Sequence, residues 1–129
     1  MSDARMDRLY EAHAAVCKVL ANPSRLRIVE ALGGGELSVG TIAVKACSSM
    51  SAVSQHLALM RGAGVVEARR SGAFIYYRLT SGKTFEAWKL MREVLLERLA
   101  AAGELSLTGS GPASSSTASH SRKRQRKVR

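Results

Sequence analysis

Ser49-Met50-Ser51-Ala52-Val53-Ser54-Gln55-His56-Leu57-Ala58-Leu59-Met60-Arg61-Gly62-Ala63-Gly64-Val65-Val66 decides the fold, together with Glu67-Ala68-Arg69-Arg70-Ser71-Gly72-Ala73-Phe74-Ile75-Tyr76-Tyr77-Arg78-Leu79, which follows at once. In the first stretch Val53, Leu57 and Met60 recur at spacings of four and three, which is an apolar inner stripe on a short helix. Ser49 is the expected N-cap, and Ser51, Ser54 and Gln55, with Met50 beside them, are left facing outward. Gly62 and Gly64 end the helix. The second stretch predicts two short strands, over 65–70 and 74–79, with Ser71-Gly72 at the hairpin tip and arginines on the approach.

A helix that shows small hydrogen-bonding side chains, joined directly to a basic hairpin, is the layout of a winged helix-turn-helix. Such a unit sets the helix in a DNA major groove and the hairpin against the backbone beside it. Ser49, Ser51, Ser54, Gln55 and His56 are the candidate readers: glutamine pairs with adenine edges and serine with several bases. His56 is also a candidate structural hydrogen-bond donor, since Leu57 beside it turns it partly inward against the third helix. Arg69, Arg70 and Arg78 with Ser71 and Gly72 form the wing, suited to phosphates or the minor groove. Tyr76 and Tyr77 alternate faces, so one belongs to the core; Tyr76 is counted with the DNA-binding residues.

The flanking sequence supplies the other helices. Apolar Leu9, Ala12, Val16, Val19 and Leu20 recur at helical spacing from Ala4 onward. Asn22-Pro23 restarts the chain as N-cap and first helical position. That second helix carries Leu26, Ile28, Val29 and Leu32 and stops at Gly33-Gly34-Gly35. Ser38 caps a short third helix with Ile42, Ala43 and Val44, and a turn through Cys47 and Ser48 follows. A last helix over 82–102 has Phe85, Trp88, Leu90, Met91, Val94, Leu95, Leu96 and Leu99 apolar. That set is wider than one stripe, so the helix is expected to be buried on two sides, the second by another copy of the chain. The fold class is therefore mainly α with a small β-hairpin, in the order α-α-α-α-β-β-α.

Composition narrows the rest. The net charge is +10, but six of the twenty Lys and Arg residues fall in the last eight positions. Without them the balance is fourteen basic to ten acidic, only mildly basic, so charge alone is weak evidence for nucleic acid. Residues 1–103 read as one DNA-binding and dimerisation domain, and 104–129 as a disordered Ser/Gly-rich linker with a basic tail. No apolar run approaches the length of a membrane span, and no signal core is present, so a soluble cytoplasmic protein is expected. Two cysteines fall short of a disulfide framework or metal quartet. Cys17 is expected to pack in the dimer region. Cys47, just ahead of a helix N-terminus, is a candidate reactive thiol, although a small buried packing role suits a lone cysteine as well. His13, His56 and His120 lie on separate segments, and no nucleophile triad or phosphate loop has a supporting context. No catalysis, metal or cofactor is expected.

Several strings resemble the ArsR/SmtB family of bacterial winged-helix repressors. They are Leu20-Ala21-Asn22-Pro23-Ser24-Arg25-Leu26-Arg27-Ile28, Glu36-Leu37-Ser38-Val39-Gly40, Ser51-Ala52-Val53-Ser54-Gln55-His56-Leu57 and Ile75-Tyr76-Tyr77-Arg78-Leu79. The resemblance spans about residues 9 to 100 and is nearest in texture to the branch typified by NolR and HlyU. It implies a homodimer built from the first and last helices, repressing promoters by binding an inverted repeat in double-stranded DNA. The usual triggers are missing. Ser38 and Gly40 stand where metal sensors of the family carry a Cys-x-Cys, and the last helix offers only Glu86, Glu93 and Glu97 in place of the zinc ligands. Glu30 stands where redox-sensing relatives place a cysteine. Two alternatives accompany the repressor reading: a redox-responsive repressor switched at Cys47, and an architectural DNA-binding protein of low specificity. An interaction module whose winged helix binds protein is a third possibility.

Overall fold

Four polar side chains set where the helices begin. In the computed structural model, which describes residues 3–104, Asp3 accepts a hydrogen bond from the Arg5 amide and opens α1 (Ala4–Leu20). The Asn22 side-chain oxygen accepts from the amides of Ser24 and Arg25, at 2.9 and 3.2 Å, and opens α2 (Pro23–Leu32) with Pro23 in its first turn. Ser38 caps α3 (Val39–Lys45) through the Thr41 amide, and Ser49 caps α4 (Met50–Gly62) through the Ala52 amide. Each cap satisfies donors that a helix leaves unpaired in its first turn. The remaining elements are β1 (Leu37–Ser38), β2 (Val66–Ser71), β3 (Phe74–Leu79) and α5 (Gly82–Ala101).

The core forms where three helices and the base of the hairpin meet. Ile28, Val29 and Leu32 of α2, Ile42 and Ala43 of α3, and Val53, Leu57 and Met60 of α4 are buried, with Ala46, Val65 and Val66. Around them pack Val16, Val19 and Leu20 of α1, and Leu37, Tyr77, Leu79, Phe85 and Trp88. Each large aliphatic side chain buried in this way contributes about 1.5–3 kcal/mol. Two expected core positions differ. Leu26 lies outside the buried set, and Val44 is 78% exposed, because α3 turns only Ile42 and Ala43 inward.

The sheet has three strands in the order β1-β3-β2, one more than the sequence announced. β1 is only two residues, Leu37 opposite Tyr77 and Ser38 opposite Tyr76, and Ser38 serves both as strand end and helix cap. The β2–β3 register runs from Val66 opposite Leu79 to Ser71 opposite Phe74. Ser71 is therefore a strand residue, and Gly72-Ala73 is the two-residue tip. Gly72 takes φ +63 there, a left-handed conformation that glycine adopts without steric cost. Gly33 also has a steric reason: a Cβ at this position would fall 2.3 Å from the Phe85 ring.

The chain divides into two compact units, Met1–Leu90 and Met91–Arg129. The described part of the second is the rest of α5 and a turn ended by Gly103 at φ +82. No residue of α5 is buried: Leu90 is 63% exposed, and Met91, Val94, Leu95 and Leu99 are exposed as well. Phe85 and Trp88 pack one side of its first turns against the core, and the second side, expected to be covered by another copy, is left uncovered in the single chain. The expected linker and basic tail, from Leu105 on, lie outside the described residues.

Candidate nucleic-acid interface

The α3–turn–α4 unit is built around one sharp bend. Ala46 is buried at the end of α3, Cys47 follows with φ +55, and the Ser48 amide returns to the Ala43 carbonyl at 3.0 Å. Burial of Val53, Leu57 and Met60 then fixes the rotation of α4. At about 100° per residue, Ser51, Ser54, Gln55 and Ala58 fall together on the arc opposite that stripe. All four are exposed, as are Ser49 and Met50 at the N-terminal end. The spacing i, i+3, i+4, i+7 was legible in the sequence, yet only Ser51, Ser54 and Gln55 were singled out there. Ala58 completes the row, and a methyl group is a suitable neighbour for a thymine methyl.

His56 stands apart from this row. It is half-buried, and its Nδ1 lies 3.1 Å from Nη1 of Arg25 on α2. The same guanidinium donates through Nε to the Val19 carbonyl at the end of α1. Arginine has no acceptor, so Nδ1 accepts here and is not a donor. Arg25 and His56 thus tie α4 to the ends of α1 and α2.

The wing has two distinct faces. Val66, Ala68, Arg70, Ile75, Tyr77 and Leu79 share one, whose base joins the core; Tyr77 is the tyrosine that packs inward. Glu67, Arg69, Ser71, Phe74, Tyr76 and Arg78 share the other. Two of the three wing arginines are already engaged there. Arg69 makes a bidentate pair with Glu36, Nε to Oε2 at 3.0 Å and Nη2 to Oε1 at 2.7 Å, and lies 5.1 Å from the Tyr76 ring centroid. Its hydrogen bonds hold the Glu36 carboxyl below the ordinary carboxylate range, outweighing the desolvation that opposes them. Arg78 pairs with Glu67 on the neighbouring strand. Arg70, opposite Ile75, is exposed, as are Ser71 and Gly72. Phe74, not foreseen as a surface residue, is 60% exposed near the tip.

Behind the wing a cleft of about 870 Å³ is lined by Leu32, Gly33, Glu36, Arg69, Arg78 and Phe85, among others. Among the described residues no group of three or more His, Cys, Asp or Glu side chains converges on a metal-sized site. Cys17 and Cys47 are both free thiols and both exposed, so neither is a packing residue of the single chain. No described helix is long and apolar enough to cross a membrane.

A short helix pair joined by a tight turn, with a polar outer row on the second helix and a basic hairpin behind it, defines a winged helix-turn-helix protein. A helix-turn-helix domain family matches residues 20–69. The chain superposes with a TM-score of 0.69 on the homodimeric winged helix-turn-helix DNA-binding domain of a possible ArsR-family transcriptional regulator from Mycobacterium bovis. The two are 35% identical over 78% of this chain and 93% of that one. NolR from Sinorhizobium fredii superposes with a TM-score of 0.62 at 33% identity, over 73% of this chain and 93% of that one. A biofilm growth-associated repressor from Agrobacterium fabrum is 40% identical over 70 residues, which are 54% of this chain and 60% of that protein. The chain belongs to the ArsR family of winged helix-turn-helix transcriptional regulators. It spans from 42% to 60% of the length of several curated relatives that it matches.

Proposed function

We propose that this chain is a sequence-specific transcriptional repressor that binds an inverted-repeat operator as a homodimer in the cytoplasm, and that it carries no catalytic activity. The observation that carries the reading is the exposed row Ser51, Ser54, Gln55 and Ala58, held outward by the buried stripe of α4. Such a row presents hydroxyl, amide and methyl groups at the spacing a major groove accepts. Ser49, Arg70, Ser71, Gly72 and Tyr76 would meet sugar and phosphate around it, fixing register without reading bases. His56 acts through Arg25 as a positioning residue for α4.

Dimerisation draws support from α1, which exposes Met6, Leu9 and Tyr10, and from α5, which exposes Leu90, Met91, Val94 and Leu95. Two copies would present two copies of α4, half-sites about one helical turn apart. Selection of binding sites from random DNA, followed by titration at fixed salt, tests the reading. A regulator binds its selected palindrome roughly 10³-fold or more above random DNA. A ratio near one would instead assign a low-specificity architectural role.

A second reading, repression switched by oxidation, draws on the exposure of Cys47 in the turn ahead of α4. Operator titrations of wild type and Cys47→Ser, with and without peroxide, decide it. Superimposable curves would remove it.

A further inference from the structure

We infer that Glu36 is an internal stand-in for a DNA phosphate, withholding Arg69 from the nucleic acid and so setting how much sequence-independent affinity the wing supplies. The inference rests on the DNA-binding reading above.

Its basis is the shape of the pair. A guanidinium offers the same fork of N–H groups to a carboxylate as to a phosphate. In Arg69 one such fork, Nε and Nη2, is filled by the two oxygens of Glu36. Its Cζ lies over the Tyr76 ring, 5.1 Å from the centroid. Glu36 is itself held in place. It follows the glycine run directly and precedes Leu37, whose pairing with Tyr77 anchors the backbone to β3. A carboxylate on a freely moving loop would follow the arginine toward DNA; this one is tethered to the sheet that carries it.

The electrostatic consequence is direct. A cation already neutralised within the protein displaces no counterion from DNA, whereas a free one releases about 0.9 ion per phosphate contacted. Glu36 also places a negative charge beside the path of the backbone. Arg78 is also paired, its Nε and Nη2 both meeting Oε2 of Glu67, so the wing carries three arginines but presents mainly Arg70. Reducing phosphate attraction that is the same for every sequence leaves more of the total affinity to α4. Glu36 therefore sets the sequence-independent part of the affinity without needing to touch DNA.

The test is a salt titration of binding to the selected operator and to random DNA, using the full chain. Glu36→Gln keeps the size and one acceptor of the side chain while removing its charge. It is expected to tighten binding to both DNAs by up to roughly eightfold per subunit near 0.1 M salt, and to steepen the slope of log affinity against log salt by about 0.9 per subunit. Arg69→Ala in the Glu36→Gln background is expected to abolish the gain and return the slope to the wild-type value, since the net charge of the pair is zero in both. If the Glu36→Gln/Arg69→Ala double variant flattens the slope below the wild-type value by about 0.9 per subunit, Arg69 already contacts phosphate and the inference is wrong. Weaker binding or an unchanged slope in Glu36→Gln, with thermal melting as in wild type, also overturns it. If Glu36→Gln melts well below wild type, titrations at a temperature well below its own midpoint decide, and an unsteepened slope there counts against the inference. Wild type failing to bind any DNA would instead remove the repressor reading itself.

Discussion

Cys47 is, among the described residues, the only one besides glycine whose φ is left-handed, at +55. A side chain in that region costs about 1–2 kcal/mol against the neighbouring carbonyl, and branching at Cβ makes it worse. Cys47→Val is therefore expected to lower stability by about 1–2 kcal/mol and Cys47→Gly to raise it by up to about 1. Urea midpoints at one protein concentration measure both. Glu36 yields a pH prediction at the same scale. Its folded-state pKa is depressed by Arg69, so the pair's contribution is fully present above the ordinary carboxylate value. It is lost as pH falls through the lower folded value. An NMR titration of the Glu36 carboxyl is expected to show a midpoint below 4.5 in wild type, moving back toward it in Arg69→Ala. Neither Glu36 nor Arg25 could be found as a partner by reading locally. Each lies more than thirty positions from the group it holds, Arg69 and His56 respectively. Sequence periodicity reports which face a side chain takes, not which distant charge will meet it.

Elements were more legible, because their signals are local. The caps Asn22, Ser38 and Ser49, the buried trio of α4 and the bounds of β3 all follow from spacing and turn chemistry. What escaped was β1, since two residues carry no alternation to detect, and the turn position, since Ser71 suits a strand end as well as a tip. For α4 the row of readers makes a sharp prediction. Gln55→Ala is expected to cost about 1–3 kcal/mol on the operator and to relax preference at its contacted base, with little change on random DNA. Arg70→Ala, on the wing, should weaken both DNAs alike and flatten the salt slope by about 0.9 per subunit. Competition titrations against single-base operator variants separate the two effects. At the other end of α2, Gly33→Ala would drive a methyl group into the Phe85 ring. About 1–3 kcal/mol of destabilisation is expected, partly recovered by Phe85→Leu, which makes room for the methyl.

At the scale of the whole molecule the informative surface is the one left uncovered. Leu90, Met91, Val94 and Leu95 occupy successive turns of α5 and are exposed, although solvent exposure of so many large side chains on one helix is unfavourable. A second copy that covers them by symmetry removes that surface from water on both chains at once. The sequence signalled this need through the width of the apolar set, but a single chain contains nothing that shows what meets it. Leu95→Glu places a charge within the proposed interface while leaving α4 and the wing untouched. Sedimentation is expected to show a dimer for wild type and a shift toward monomer for the variant. Palindromic operator affinity should fall by orders of magnitude, since each half-site must then be bound alone, while affinity for an isolated half-site should change little. If the variant sediments as a dimer with unchanged operator affinity, the α5 face is not the contact. The two recognition helices would then have to be paired through another surface.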